Sequence, residues 1–189
     1  MNERKPLIEL FLHINSQINL SAIRDAEWVY TKHILDSLEL NKLDILTPWK
    51  TLLDVGTWGW FPLLPLAMTN PQVQCFGIDT RRKKIDAINT MIEQLSISNA
   101  HWVRWRVEEY QWSFDYVVSR ATAYIDVLIW WTIHLLKKWW YYVFYKQYTE
   151  EEHEMLLKML SQYKLELIQE HRYRLFDGDI ERVLYVIEK

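Results

Sequence analysis

The fold of this chain is decided by one stretch, Thr51-Leu52-Leu53-Asp54-Val55-Gly56-Thr57-Trp58-Gly59-Trp60-Phe61-Pro62. Its first five residues are typical of a short buried strand, and a glycine follows at once. A glycine turn between a strand and a helix lets the backbone approach a ligand closely, with helix N–H groups pointing toward it. The stretch therefore predicts the opening strand of an α/β sheet and one wall of a binding site.

Strand-like and helix-like segments alternate after this stretch. The pattern predicts strands at 73–78, 101–104, 114–118 and 140–145, and helices at 61–68, 81–95, 124–136 and 149–160. This alternation indicates a parallel sheet with helices on both faces. The last two strands, 164–171 and 181–187, are joined through 177–179 with no room for a helix, so they are predicted to pair antiparallel.

Two helices are predicted ahead of the sheet. The first shows apolar residues at three- and four-residue steps, and Asp25 is a plausible N-cap of the second. The polar stretch 41–50 is predicted to be a connector. We therefore expect one domain over residues 1–189, with an N-terminal helical segment at 1–48 and an α/β core at 49–189. The apolar steps of the first helix fall on Leu7, Leu10, Phe11, Ile14 and Ile18.

Composition excludes several classes of protein. A chain of 189 residues is long enough for one full hydrophobic core. The most apolar segment, 127–136, is too short to span a bilayer, and the charged start does not resemble a secretory segment. The single cysteine, Cys75, is expected to be a small buried hydrophobe. We expect a cytoplasmic protein without a membrane partner, and the net charge of −3 confines nucleic-acid binding to local basic patches.

Asp79 is the second candidate binding residue. It follows the predicted strand at 73–78 and lies 23 residues beyond Gly56. A carboxylate at this place can accept hydrogen bonds from both hydroxyls of a ribose. Each feature alone also fits a structural turn, but their order and spacing predict a nucleoside-cofactor site. NAD and S-adenosylmethionine both fit this geometry, whereas the antiparallel tail and the two leading helices favour a methyltransferase.

Several separated motifs occur in a specific order. They include Asn19-Leu20-Ser21-Ala22-Ile23-Arg24-Asp25, Lys32-His33-Ile34-Leu35-Asp36-Ser37-Leu38, Leu53-Asp54-Val55-Gly56-Thr57, Arg106-Val107-Glu108-Glu109, Ser119-Arg120-Ala121 and Glu181-Arg182-Val183-Leu184-Tyr185-Val186-Ile187. With them the chain resembles the RsmG (GidB) family, guanine-N7 methyltransferases of small-subunit ribosomal RNA. The resemblance runs in register from about residue 18 to 146.

The resemblance implies a fold, a cofactor and a partner. The fold is a Rossmann-like class I methyltransferase: a seven-stranded mostly parallel sheet with an antiparallel C-terminal strand, preceded by N-terminal helices. The cofactor is S-adenosyl-L-methionine, and the partner is small-subunit (16S) ribosomal RNA or the 30S particle. We expect no metal and a monomer.

The resemblance also implies site residues. Asp79 is expected at the ribose, Val107 and Glu108 beside the adenine, and Arg120 at both the cofactor and the incoming RNA, which makes Arg120 the catalytic candidate. The cofactor-binding set is Gly56, Thr57, Trp58, Gly59, Trp60, Phe61, Asp79, Val107, Glu108 and Arg120. Weaker candidates for RNA contact are Lys32, His33, Arg81, Arg82 and Lys146.

Structural readings compete with these roles. Val107 also fits the core, Glu108 a solvated surface and Arg120 a surface ion pair. Lys32 and His33, with Asp36 nearby, fit capping or packing better than acid–base chemistry. The basic run 81–84 fits a solvated first helical turn as well as a phosphate contact.

The tryptophan count is unusual, with 11 Trp against 4 Gly, where average usage predicts about 13 Gly. We hypothesise that UGA codons read as glycine in the source are written here as tryptophan. In the alternative, the indoles are real, and those at positions 58 and 60 are predicted to occlude the cofactor. The family has glycine at the positions of Trp49, Trp58, Trp60, Trp105, Trp139 and Trp140, and small or turn residues would suit those of Trp112 and Trp130.

The implied chemistry needs few catalytic groups. Guanine N7 presents a lone pair on the major-groove edge, so attack on a sulfonium methyl group requires no general base. Catalysis is expected to rest on positioning and the exclusion of water. Two other functions stay open at this point: a methyltransferase for a different substrate, and a binding protein of the same fold with an impaired cofactor loop.

Overall fold

The computed structural model describes residues 4–19, 21–56, 60–120, 122–175 and 180–189. Thr57, Trp58 and Gly59 of the predicted cofactor loop lie outside these ranges, as does the turn predicted at 177–179. Every structural statement below concerns the described residues.

The first helix forms where the apolar periodicity predicts it. Helix α1 spans Lys5–Ile18 and has Pro6 in its first turn, where a missing N–H costs nothing. Asn19 ends the helix with a left-handed backbone, and its N–H donates to Asn15 O at 3.1 Å. One face of α1 is buried, comprising Leu7, Ile8, Phe11 and Ile14.

The predicted cap of the second helix is confirmed. The Asp25 carboxylate accepts hydrogen bonds from the N–H groups of Glu27 at 2.9 Å and Trp28 at 3.1 Å, which satisfies donors that a helix start leaves unpaired. Helix α2 is short, and the chain stays helical in changing form beyond it. The successive segments are α2 Ala26–Val29, a π-helical segment Tyr30–Leu35, α3 Asp36–Leu38 and a 3-10 turn Glu39–Leu43.

In the part of the chain that the structure describes, seven strands follow, interleaved with four α-helices. The strands are β1 Thr51–Val55, β2 Gln74–Asp79, β3 Ala100–Arg104, β4 Phe114–Arg120, β5 Leu136–Gln147, β6 Glu166–Arg174 and β7 Glu181–Glu188. The helices are α4 Leu63–Thr69, α5 Arg82–Gln94, α6 Ile125–Thr132 and α7 Glu150–Tyr163.

The strands form one sheet in the order β3-β2-β1-β4-β5-β7-β6. Strands β1 to β5 pair in parallel, whereas β7 lies antiparallel between β5 and β6. The order reverses at β1, whose neighbours are β2 and β4, and such a switch point is where open α/β sheets bind ligands. The predicted fold class, including the antiparallel C-terminal strand, is confirmed.

Helices cover both faces of the sheet, as parallel sheets require. On one face α1, α4 and α5 contribute Phe11, Leu64 and Ile88 to a core cluster that also contains Leu52 of β1. On the other face α6 and α7 pack against alternate residues of the same strands. The N-terminal helices therefore share a core with the sheet. Cys75 lies on the first face, fully buried, and burial raises the pKa of its thiol to about 12.

The largest difference from the predicted boundaries lies between α6 and β5. The helix predicted at 124–136 ends at Thr132, and β5 begins at Leu136, four residues before the predicted strand. Leu136 pairs with Phe114 of β4, and the Phe114 N–H donates to Leu135 O at 2.6 Å. Pairing with a neighbouring strand overrides the helical preference of this apolar stretch. None of the described helices combines the length and apolar character needed to cross a membrane.

Candidate functional site

A crevice of about 610 Å³ opens where β1, β2 and β3 end. We call it the crevice throughout. Its lining comprises residues 55–56, 78–81 and 105–108, together with Thr122 and Trp131. The chain therefore brings the ends of three parallel strands and the loop after β4 to one edge of the sheet, and the volume lies in the range of small-molecule sites.

Gly56 is required at the floor of the crevice. Its backbone is left-handed, with φ +69°, and a Cβ there would lie 2.2 Å from Thr122 Cγ2. The Thr122 hydroxyl oxygen lies 2.9 Å from Gly56 O and 3.1 Å from Val55 O, so it ties the end of β1 to the loop after β4. Any larger residue would meet both a backbone cost and a steric one.

Asp79 ends β2 and forms part of the crevice wall. Its carboxylate accepts a hydrogen bond from the Arg81 N–H at 2.9 Å, just before α5 begins. The Asp79 carbonyl also accepts from the Trp105 N–H at 3.2 Å, which links the ends of β2 and β3. These bonds orient an acidic group at the place where the sequence predicts a ribose.

Val107 and Glu108 stand together on a 3-10 turn, Val107–Glu109, after β3. Both line the crevice, and Val107 packs partly against the core. An exposed Arg106 lies 3.9 Å from Glu108. The structure thus brings Gly56, Asp79, Val107 and Glu108 to one crevice, and the two structural readings of Val107 and Glu108 do not exclude that placement.

Arg120 lies outside the crevice lining, in a buried polar cluster. Its Nη1 is 2.9 Å from Asp36 Oδ2 and donates to Lys32 O at 3.0 Å. Its Nη2 lies 3.0 Å from His33 Nδ1. The side chain is 8% exposed and is not part of the crevice lining, so a surface ion pair is the wrong description. Its predicted contact with cofactor and RNA stays a prediction.

His33 belongs to this buried region. Its ring stacks on Phe61 at 4.8 Å between centroids, and its Nε2 lies 3.2 Å from Ser21 Oγ. Burial, and then the neighbouring Arg120 charge, lowers the pKa of His33 from 6.5 to about 3. The ring is therefore neutral near pH 7 and packs internally. These contacts support the packing role that the sequence also allows for His33.

Trp60 does not occlude the crevice. Its side chain is fully buried and meets Phe11 of α1 edge-on, with ring centroids 5.3 Å apart. Phe61 is buried against Phe11 as well. The prediction that a genuine indole at position 60 would fill the cofactor space is therefore wrong, because the side chain turns into the core beneath α1. Trp58, the other residue in that prediction, lies outside the described residues.

The weaker candidates for RNA contact separate into two groups. Lys146 is 11% exposed, lies 2.6 Å from Glu152 of α7 and donates to Ala123 O, so internal pairing occupies its ammonium. Lys32 Nζ lies over the Trp28 ring, 3.9 Å from the ring centroid. Arg81 and Arg82 are exposed at the start of α5, and Arg81 also lines the crevice. Within the described ranges, no three His, Cys, Asp or Glu are placed to hold a metal ion.

Sequence reasoning assigned no role to several residues that shape this region. Thr122 follows Ser119-Arg120-Ala121 by one position, which is the signal that places it at the end of β4. Arg182 lies within a quoted motif, but nothing in the sequence indicates that its guanidinium meets Asp36, 146 positions earlier. Such long-range contacts depend on strand order, which local patterns do not encode.

Several solved structures with a similar fold are described as methyltransferases. The chain is similar to a ribosomal protein L11 methylase from Lactobacillus delbrueckii subsp. bulgaricus, with TM-score 0.66 and 14% identity over 84% of this chain and 78% of that one. It is equally similar to a SAM dependent methyltransferase from Aquifex aeolicus, with TM-score 0.66 and 14% identity over 87% and 94%. The fold and the crevice together define the class I methyltransferase architecture.

Sequence comparison narrows the class to a family. The model of the GidB family, rRNA small subunit methyltransferase G, matches residues 2–175, so the chain belongs to that family. Its relatives include ribosomal RNA small subunit methyltransferase G of Christiangramia forsetii, 36% identical over 66% of this chain and 59% of that protein. The protein of the same name from Saccharophagus degradans is 38% identical over 72% and 60%. The matched part of the chain thus spans about three fifths of these relatives.

Proposed function

We propose that this protein transfers a methyl group from S-adenosylmethionine to N7 of a guanine in small-subunit (16S) ribosomal RNA. The observation that carries the proposal is the convergence of Gly56, Asp79, Val107 and Glu108 on one crevice in a chain that belongs to the methyltransferase G family. These residues lie at or just after the ends of three different strands, and a single surface loop could not bring them together.

The lining fits the chemistry of an adenosyl cofactor. Val55, Ile78 and Val107 supply apolar surface suited to an adenine ring, and the Asp79 carboxylate suits a ribose diol. Gly56 keeps the turn after β1 free of a side chain where Thr122 leaves no space for one. When bound, the cofactor supplies an electrophilic methyl group on a sulfonium.

The protein's own contribution is positioning. Asp79 and Glu108 would orient the nucleoside end, and Gly56 would let the backbone pass close to it. The N7 lone pair of guanine needs no proton removed, so no general base is required of these residues. Arg120, predicted to be catalytic, would act by orienting the guanine or an adjoining phosphate rather than by proton transfer.

Methyl transfer from radiolabelled cofactor tests this function. The protein is incubated with 30S particles, naked 16S ribosomal RNA and a protein extract in separate reactions. Nuclease digestion and chromatography should place the label in N7-methylguanine from the RNA. Asp79→Ala should abolish labelling at low cofactor concentration. Asp115→Asn is the matched control, because Asp115 is a buried carboxylate at the opposite end of the same sheet, 2.9 Å from the Thr51 N–H.

The result also distinguishes the alternatives. Label in a protein or a small molecule would point to a methyltransferase with a different substrate. No cofactor binding by calorimetry would point to a binding protein of this fold. An RNA substrate would place the protein with assembling ribosomes in the cytoplasm, and we propose that it acts there as a monomer of one domain.

A further inference from the structure

Three polar side chains from distant parts of the sequence converge on the carboxylate of Asp36. Arg182 of β7 forms two contacts, Nε to Oδ1 at 2.7 Å and Nη2 to Oδ2 at 3.1 Å. The Tyr173 hydroxyl of β6 donates to Oδ1 at 2.6 Å, and Arg120 of β4 contacts Oδ2 at 2.9 Å. We call these residues, with His33, the Asp36 cluster.

The carboxylate is the least exposed part of this cluster. The Asp36 side chain is 1% exposed, against 8% for Arg120 and 20% for Arg182. Burial, and then the Asp36 charge, raises the pKa of Tyr173, so its hydroxyl stays protonated and donates. With His33 neutral, two guanidinium groups share one carboxylate, which leaves the cluster with one net positive charge.

Arg182 pairs with Asp36 through two N–H groups, whereas Arg120 contacts Asp36 through Nη1 alone. A guanidinium bound through two N–H groups is fixed in plane as well as in position. Asp36 holds two guanidiniums at once, and they come from the end of β4 and from the antiparallel tail. Its own position is set by the helical segment before the sheet, where the Ser37 carbonyl also accepts a hydrogen bond from the Tyr145 hydroxyl at 2.7 Å.

We propose that Asp36 is a positioning residue for methyl transfer, holding Arg120 and Arg182 in the orientation that receives the RNA. The assignment rests on the proposed function. It explains why a chain would bury a charged network beside its crevice, since apolar side chains of similar volume are often at least as stabilising. Asp36 touches neither cofactor nor substrate in this account; it acts through the two arginines.

A double-mutant cycle tests the assignment. Asp36→Asn keeps the shape of the side chain and removes its charge. We expect a fall in kcat of about tenfold or more, with cofactor affinity within about twofold of wild type. Because part of the effect runs through Arg120, adding Asp36→Asn to Arg120→Ala should cost less than the two separate losses multiplied together. Asp115→Asn is the control for loss of a buried carboxylate and should leave kcat unchanged.

The outcomes are separable. A normal kcat for Asp36→Asn, or losses that multiply with those of Arg120→Ala, would overturn the positioning role while leaving the proposed function intact. No methyl transfer by the wild-type chain would overturn the proposed function, and this assignment with it. If Asp36→Asn does not fold, Asp36→Glu retains the charge one methylene away, and wild-type kcat in that variant would also refute the role.

A separate observation concerns the tryptophans. Seven non-glycine residues in the described ranges have left-handed backbones, and three are tryptophans: Trp49 at φ 65°, Trp60 at φ 75° and Trp139 at φ 70°. Asn and Asp account for two of the others and tolerate this region, but a bulky side chain there is a genuine outlier. All three tryptophans stand where the family resemblance places glycine.

The surroundings offer little compensation for this strain. Trp49 is 80% exposed and Trp139 is 66% exposed. Trp60 is buried, yet its indole N–H finds no hydrogen-bond acceptor in the part of the chain that the structure describes. Among the tryptophans that the structure describes, only those at 49, 60 and 139 have a left-handed backbone, and Trp105, Trp112, Trp130 and Trp140 do not.

We infer that the protein made in its source carries glycine at 49, 60 and 139, with UGA read as glycine. The coding DNA and peptide mass spectrometry test this directly: UGA codons and glycine masses are expected, and UGG codons would overturn it. The unfavourable backbone at position 139 can also be tested in the chain that carries tryptophan. Trp139→Gly should raise the folding equilibrium constant by roughly 5- to 30-fold.

Trp130 supplies the matched control. It is 64% exposed, like Trp139, but lies within helix α6. Glycine is a poor helix former, so Trp130→Gly should lower the folding equilibrium constant by about threefold. Equal effects of the two substitutions would refute the claim that the backbone at position 139 selects glycine.

Discussion

The crevice and the Asp36 cluster both lie near the end of β4, yet they treat polar groups in opposite ways. In the crevice, Asp79 and Glu108 line an open space of about 610 Å³. In the Asp36 cluster, the carboxylate is buried and receives donors from Arg120, Tyr173 and Arg182. Charge in the first region is available to a ligand, whereas charge in the second is used to hold the protein's own parts together. Mutations in the crevice should therefore weaken ligand binding with a small effect on stability, whereas mutations in the Asp36 cluster should lower stability and, through the two arginines, turnover.

The largest effect is expected for Asp36→Ala. It leaves two guanidinium groups without their shared buried carboxylate, and breaking a buried pair costs about 3–5 kcal/mol. Urea unfolding followed by circular dichroism should show a fall of this size in the free energy of unfolding. A loss below about 1 kcal/mol would mean that water solvates the two guanidinium groups in the variant. The Asp36 cluster would then stabilise the fold no more than the crevice does.

Asp79→Ala should give the reverse pattern. Loss of the hydrogen bonds that ribose hydroxyls donate to the Asp79 carboxylate is worth about 1.5–3 kcal/mol, so the Kd for S-adenosylmethionine should rise roughly 10- to 150-fold. The free energy of unfolding should fall by only about 0.5–1.5 kcal/mol, because the fold loses the hydrogen bond that the Arg81 N–H donates to this carboxylate. Calorimetry and urea unfolding measure the two quantities. A stable protein with unchanged affinity would remove Asp79 from the site.

Arg120→Ala tests both regions at once. The predicted catalytic role leads us to expect a strong loss of methyl transfer, and the contact with Asp36 leads us to expect a loss of stability as well. Turnover should therefore be measured at a temperature well below the unfolding transition of the variant. Near-normal turnover there would leave Arg120 with a purely structural role.

The effect of His33 depends on pH and is the smallest of these effects near neutral pH. Its pKa in the folded protein, about 3, lies below its ordinary value of 6.5. The unfolded chain therefore binds more protons between these values, and stability falls as the pH drops through that window, by at most about 1.4 kcal/mol per pH unit. His33→Gln should reduce this fall in the free energy of unfolding at low pH, whereas His13→Gln, at an exposed position, should leave it unchanged. An equal fall in His33→Gln and wild type would show that other groups cause it.

Local patterns were sufficient for much of the architecture. The strand before Gly56 and the Asp25 cap occur where the sequence predicts them, because apolar periodicity and capping act over a few residues. The C-terminal antiparallel pair follows from a connection too short for a helix. The start of β5 could not be predicted, since pairing of Leu136 with Phe114 decides it. The inward turn of Trp60 depends likewise on α1 packing above it.

The candidate site divides in the same way. The order of Gly56 and Asp79 along the chain, each directly after a strand, was enough to predict that they share a binding site, because parallel strands end at one edge of a sheet. Family motifs added Val107 and Glu108. Only the tertiary structure decided that Asp36 meets Arg120 and Arg182, which lie 84 and 146 positions further along the chain. Sequence specifies strands and turns through short-range forces, whereas the pairing of buried charges follows from which distant segments the sheet places side by side.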